Sequence, residues 1–134
     1  MGQPYSDIVG WGSAEWQAAL ARSDRFFFTL HINAEPVGTT GFKVMQEERY
    51  AHLIASYIAP EYRGLGLSRL LYREVIAFIR NHLALDYLTV DHREGNDASG
   101  HAILGAGFVP TGTYSERTFG DGTTGKLVNY RLQL

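Results

Sequence analysis

Arg63, Gly64 and Gly66 stand together just ahead of a helical pattern, a combination suited to holding an anion. Leu67, Leu70, Leu71, Val75, Phe78 and Ile79 recur at helical spacing, so a helix begins near Leu67 and packs one face on the rest of the fold. The first amides of a helix have no partner within it, and its N-terminus carries roughly half a positive charge. Gly64 and Gly66 lack a Cβ, which lets an anion approach that backbone closely. Arg63 adds a planar guanidinium that can fork onto phosphate oxygens. A plain glycine-rich turn accounts for the glycines equally well. A P-loop ends in Gly-Lys-Ser/Thr, whereas this loop ends in Gly66-Leu67-Ser68. A dinucleotide fingerprint needs a third glycine at 69, where Arg69 stands, although Asp86 and Asp91 lie where its acidic residue belongs.

The elements that must position this loop are legible from period and punctuation. Ser13 caps a short helix over 13–21 that keeps Trp16 and Leu20 on one side. "RFFFTLHI" (25–32), "VGTTGFKVM" (37–45) and "YAHLIASYI" (50–58) read as strands of an antiparallel meander, with turns at "AEP" and "EE". After the long helix, "DYLTVD" (86–91) is a short strand and "NDASGHAILGA" (96–106) a second helix, entered at Asn96. "FVPTGTY" (108–114) and "KLVNYRLQL" (126–134) are strands around a "GDGTTG" turn. The order α-β-β-β-α-β-α-β-β gives a mixed α/β (α+β) sheet with helices on it, not a doubly wound parallel one.

Composition sets the outer limits. A chain of 134 residues fits one domain and buries a core without disulfides. With no cysteine, a thiol nucleophile, a zinc–thiolate site and a disulfide framework are all excluded. A net charge of −2 gives no footprint for nucleic acid or a membrane surface. No apolar run reaches the length of a membrane span, and "MGQPYSDIVGWGS" lacks the basic and apolar regions of a secretory signal, so the expected location is cytoplasmic. Asp91, His92, Glu94, Asp97 and His101 crowd one segment, but their spacing matches neither a His-Glu-x-x-His zinc helix nor a calcium loop, and no metal is expected.

"YIAPEYRGLGLSRLL" resembles the acetyl-CoA-binding motif of the GNAT superfamily of N-acyltransferases. The family pattern is Arg/Gln-x-x-Gly-x-Gly/Ala after a strand that ends in an apolar-x-Pro sequence. Arg63, Gly66 and Ile58-Ala59-Pro60 match it, and the small Ser68 replaces the last Gly or Ala. A second motif agrees: Asn96 precedes the Gly107-Phe108 pair across the second helix, as in family members. The resemblance covers about residues 13–134, with a shortened N-terminal region, because the usual first strand is not found before Ser13. It implies a single domain over 1–134 with the GNAT-like fold: an antiparallel meander, a splayed parallel strand pair, and helices on both faces.

The resemblance also implies roles. Backbone amides from Arg63 through Gly64, Leu65, Gly66, Leu67 and Ser68 to Arg69 would hold the cofactor's pyrophosphate. Backbone groups near Tyr57 and Ile58 would take its pantetheine arm as an added strand, and Asn96 would hydrogen-bond that arm. An N–H near Ile58 would steady the oxyanion. Family members place a catalytic base on one of two strands, at the positions of His52 and Asp91 here; both residues also suit plain surface and turn roles. His52, Ile54 and Ser56 are expected to alternate on one strand face. The family's general acid is a tyrosine four residues before the Gly-Phe pair, where this chain has Ile103. A thiol with a pKa near 8.5 leaves tolerably well unaided, and water, Ser99, His101 or Tyr114 could substitute, none favoured over the others; Tyr114 joins His52 and Asp91 as a catalytic candidate.

The resulting expectation is an acyltransferase that moves an acetyl group from acetyl-CoA to a primary amine of a small molecule or peptide. Lacking cysteine, it would act by direct attack in a ternary complex. Ile103 keeps open a catalytically weak acyl-CoA-binding regulator, and a small nucleotide-binding oxidoreductase is a third reading, opposed by Arg69. Glu47, Glu48, Glu94 and Glu116 read as solvated loop residues or as attractors of a cationic amine. The C-terminal strands are a candidate homodimer surface.

Overall fold

A computed structural model of the protein describes residues 24–134, so the helix expected over 13–21 lies outside the described residues. Strands β1 (Arg25–Ile32), β2 (Glu35–Met45) and β3 (Tyr50–Ile58) come first. A 3-10 turn (Pro60–Tyr62) then leads into helix α1 (Leu67–His82). Strand β4 (Tyr87–Arg93), helix α2 (Asp97–Gly105) and strands β5 (Val109–Thr118) and β6 (Thr124–Gln133) complete the described chain. The order matches the sequence reading, and the GNAT-like mixed sheet is as expected. Six strands form one sheet in the order β1-β2-β3-β4-β6-β5. β3 and β4 run parallel, and every other neighbouring pair is antiparallel.

One face of the sheet carries the core. Phe42, Val44, Ala51, Leu53, Leu88, Val90 and Tyr130 meet Tyr72, Val75, Ile76 and Ile79 of α1, with Ile103 of α2 and Phe108 closing the end. Each fully buried aliphatic or aromatic side chain here stabilises the fold by about 1.5–3 kcal/mol relative to exposure. Both described helices therefore share one face. Among the described residues no helix is long and apolar enough to cross a membrane.

Two irregularities shape the middle of the sheet. Along β2 the step from Thr39 to Gly41 faces the longer step from Tyr57 to Ile54, so β3 holds one extra residue, a β-bulge. The bulge overturns the expected alternation of His52, Ile54 and Ser56. Ser56 turns to the helix-covered face, with its Oγ 2.8 Å from Thr40 Oγ1. His52 stays on the opposite face, its Nδ1 2.7 Å from Thr89 Oγ1. The second irregularity is the brevity of the parallel pairing. Tyr50, Ala51 and His52 pair with Tyr87, Leu88 and Thr89, and there the pairing stops. β4 continues alongside β6 to Arg93, while β3 runs on to Ile58 without β4 beside it.

β2 follows this path because it has glycine where strands crowd. A Cβ on Gly41 would lie 2.6 Å from the Phe26 carbonyl oxygen and 2.7 Å from Phe27 Cδ1. A Gly41→Ala substitution should therefore destabilise the protein by about 1–3 kcal/mol through overpacking. Urea unfolding measures this as a lower midpoint at unchanged slope; an unchanged midpoint would mean that β1 moves aside freely.

Candidate active site

Where β3 and β4 part, a cavity of about 280 Å³ opens between the end of β3, the first turns of α1 and the start of α2. A second hollow of about 360 Å³ lies under the glycine loop, and Ile58, Arg63, Ser68, Ala98 and Ala102 line both. The two form one groove from the sheet opening to the mouth of α1.

The loop has the geometry its glycines suggest. Gly64 has φ +80° and Gly66, the N-cap of α1, φ +78°, and a Cβ at either would meet nothing within 4 Å. That left-handed region costs other residues about 1–2 kcal/mol. Among the described residues, no backbone amide of 64–69 has an acceptor, and all of these residues but Leu65 line the outer hollow. The amide of Arg63 does not belong to that row, contrary to expectation: it donates to the Pro60 carbonyl at 3.3 Å, closing the 3-10 turn. The Arg63 side chain braces the strand end, with Nε donating to the Ile58 carbonyl at 2.8 Å and the guanidinium 5.3 Å from the Tyr57 ring centre. Tyr57 and Leu65 are exposed, whereas Ile58 is buried. Arg69 lies across the start of α1 against Gly105 of α2, whose missing Cβ would stand 3.1 Å from Arg69 Nε.

Asn96 serves two elements at once. Its Oδ1 accepts from the Ser99 amide at 3.3 Å and caps α2, and the residue also lines the inner cavity. The cap consumes the carbonyl oxygen and leaves the amide nitrogen as a donor to the groove.

His52 and Asp91 come together on the sheet face that neither described helix covers. His52 Nε2 is 3.3 Å from Asp91 Oδ2, and both side chains are partly buried. Thr89, which sequence reasoning missed, completes the set through His52 Nδ1. With the carboxylate ionised and the imidazole neutral, Nε2–H donates to Asp91 and Nδ1 accepts from the Thr89 hydroxyl. Both histidine nitrogens are then engaged, and the remaining acceptor of the pair is Asp91 Oδ1. The alternation in "LTVD" was the available signal for Thr89, since residues two apart share a strand face.

Other candidates lie elsewhere. Tyr114 sits on β5, the outermost strand, paired with Val128 of β6, 60% exposed and outside the cavity lining. It does not reach the opening, because β6 stands between β5 and β4. His92 is built into the packing beneath α2: Nδ1–H donates to the Arg93 carbonyl and Nε2 accepts from the Tyr130 hydroxyl, each at 2.8 Å. His101 lines the outer hollow, and Ile103 is fully buried in the core. Glu47 and Glu48 occupy the β2–β3 turn, at the far end of β3 from the opening.

Tyr72 was also missed, because the apolar helical repeat legible in α1 passes it by, although the helix buries it beside Leu71 and Val75. It is almost wholly buried yet lines the inner cavity. Burial raises its pKa above the usual tyrosine value, hydrogen bonding by Ser56 draws it back, and the nearby Asp91 charge adds to the rise.

Residues 3–108 match the model of the acetyltransferase (GNAT) family. No curated protein sequence matches the chain significantly. Solved structures share the fold at low sequence identity. The microcin C7 self-immunity acetyltransferase MccE, in complex with acetyl-CoA and AMP, has a TM-score of 0.77 at 14% identity, over 98% of this chain and 73% of its own. The F149A mutant of the spermidine N-acetyltransferase SpeG from Vibrio cholerae has a TM-score of 0.74 at 19% identity, over 90% and 74%. A ribosomal-protein-alanine N-acetyltransferase from Brucella melitensis has a TM-score of 0.72 at 21% identity, over 90% and 76%.

Proposed function

Because the chain belongs to the acetyltransferase (GNAT) family, we propose that it transfers an acetyl group from acetyl-CoA to a primary amine by direct attack in a ternary complex. The observation that carries this reading is the parting of β3 from β4 after three residue pairs, with unpartnered amides at the loop beyond. A ligand with a diphosphate and an extended amide-bearing arm fits both features: the amides of 64–69 suit the diphosphate, and the free edge of β3 suits the arm. Asn96 would donate its amide nitrogen to the arm. When bound, acetyl-CoA supplies an electrophilic carbonyl and a thiol leaving group.

The chain's own residues have three tasks. Arg63 holds the end of β3 in place through the Ile58 carbonyl, which keeps the groove open. Asp91, oriented by His52 and Thr89, takes a proton from the incoming ammonium so that a neutral amine can attack. The Ile58 amide offers a hydrogen bond to the carbonyl oxygen as charge builds there. The neighbours' acceptors include spermidine and ribosomal-protein alanine, so the proposed acceptor class spans small amines and peptide N-termini.

A thermal-shift series with acetyl-CoA, CoA and NAD tests the donor. At a hundredfold excess over Kd, binding stabilises by about 2.7 kcal/mol, a rise in Tm on the order of 10 °C. The expected result is a rise with both coenzyme A species and none with NAD; a rise with NAD alone would replace the reading with the oxidoreductase. Thiol release across polyamines, amino acids, aminoglycosides and peptide N-termini then identifies the acceptor. Binding without turnover on any of them favours the regulator that Ile103 motivates.

A further inference from the structure

Acyl transfer leaves a sulfur that must accept a proton, and at the position where the family's tyrosine would stand α2 presents only the buried, apolar Ile103. Six hydroxyl-bearing residues line the inner cavity: Thr40, Ser56, Tyr57, Ser68, Tyr72 and Ser99. Four of these are aliphatic alcohols, far weaker acids than a phenol. Of the two phenols, Tyr57 is half-exposed, with its ring against the Arg63 guanidinium. Tyr72 projects from α1 into the cavity wall, held by Phe108 in edge-on contact at 6.4 Å. The β3 bulge brings Ser56 to the same face, where it bonds Thr40 at 2.8 Å and neighbours the Tyr72 hydroxyl. His52 and Asp91 lie on the other face, so the opening has a proton acceptor on one side and a phenol on the other.

Resting on the acetyl-transfer reading, we propose that the Tyr72 hydroxyl, assisted by Ser56 and Thr40, donates the proton to the departing sulfur. The substrate ammonium loses two protons in the reaction. Asp91 takes the first, which frees the nitrogen lone pair to form the new C–N bond. The C–S bond breaks with its electron pair remaining on sulfur, and Tyr72 O–H protonates that sulfur. The amide nitrogen sheds the second proton to water, Asp91 releases the first to water, and Tyr72 regains one from water along the Ser56 and Thr40 hydroxyls. The products are the acetylated amine, free thiol and one net proton. Burial keeps the phenol protonated throughout the neutral range, as a donor requires.

The decisive measurement needs no turnover. Free CoA is bound to the intact protein, and its thiol is titrated by the ultraviolet absorbance of the thiolate. A donor aimed at sulfur stabilises the thiolate, so bound CoA should titrate below free CoA. In Tyr72→Phe, which keeps the ring, that pKa should rise by about one to two. Equal values in the two proteins overturn the proposal. Should the variant not fold, a bound thiol that titrates at or above free CoA in the unaltered protein also overturns it. In turnover, Tyr72→Phe should lower kcat by about 10²–10³-fold with KM little changed. An acetyl donor with a more acidic thiol should recover most of that loss; a loss independent of thiol acidity counts against proton donation. If the unaltered protein acetylates no amine, the acetyl-transfer reading fails, while the titration still decides whether Tyr72 faces the sulfur.

Discussion

Gly66→Trp should abolish coenzyme binding while the protein remains folded. The glycine forms the N-cap of α1, and the space over its Cα is open. An indole there occupies the hollow above the free amides and denies a diphosphate close approach. The fold loses little, since a Cβ there meets nothing within 4 Å and the backbone strain at φ +78° amounts to about 1–2 kcal/mol. Binding should weaken by more than about a hundredfold, because several charge-assisted hydrogen bonds worth about 1.5–3 kcal/mol each are lost together. Gly122→Trp is the matched control. Gly122 has φ +83°, is equally open, and lies in the β5–β6 turn, so it incurs similar strain without touching the groove. Calorimetric titration with CoA compares the two. Undiminished affinity in the Gly66 variant, or equal losses in both, would remove the loop from the binding site.

Asp91→Asn is expected to lower kcat by about 10²–10⁴-fold, the range that a positioned base contributes. The amide keeps the shape and can still accept from His52 Nε2–H, but it cannot take a proton from an ammonium. Coenzyme affinity should stay unchanged, because Asp91 lies outside the groove lining. His52→Gln should cost less, since the imidazole acts by orienting the carboxylate and has no nitrogen free for the substrate. Steady-state kinetics at neutral pH give both numbers. The reverse order of effects would make the imidazole the base, and full activity in both variants would sink the pair altogether.

The loop and its strand were legible because their signals are local. Glycines before an apolar helical repeat, after Ile58-Ala59-Pro60, can be read without knowing what lies across the sheet. β1 and β3 have the bounds the alternation suggests, whereas β4 runs two residues further, to Arg93, because β6 supplies partners that far. What the sequence concealed depends on register. A strand with an inserted residue looks like any other strand in one dimension, so Ser56 was assigned to the face of His52 when the bulge sends it to the other. Tyr72 was hidden differently. The apolar repeat leaves it out, its neighbours in the core are set by the sheet, and only the adjoining gap between strands turns that buried position into a cavity wall. Tyr114 failed as a candidate acid because strand order is not readable from strand sequence: β6 inserts between β5 and β4. The charge of Arg63 suggests an anion holder, whereas its amide and Nε serve the turn and the strand end.

The unzipped seam between β3 and β4 has a consequence for how this protein can change over time. Much of what it offers a guest there is main chain, identical whatever side chains flank it. If the proposed acetyl transfer holds, drift in the surrounding residues would leave the grip on the coenzyme largely intact, while the opposite face would be free to be recut for one amine after another. Such a molecule would inherit its donor from geometry and acquire its acceptor by substitution.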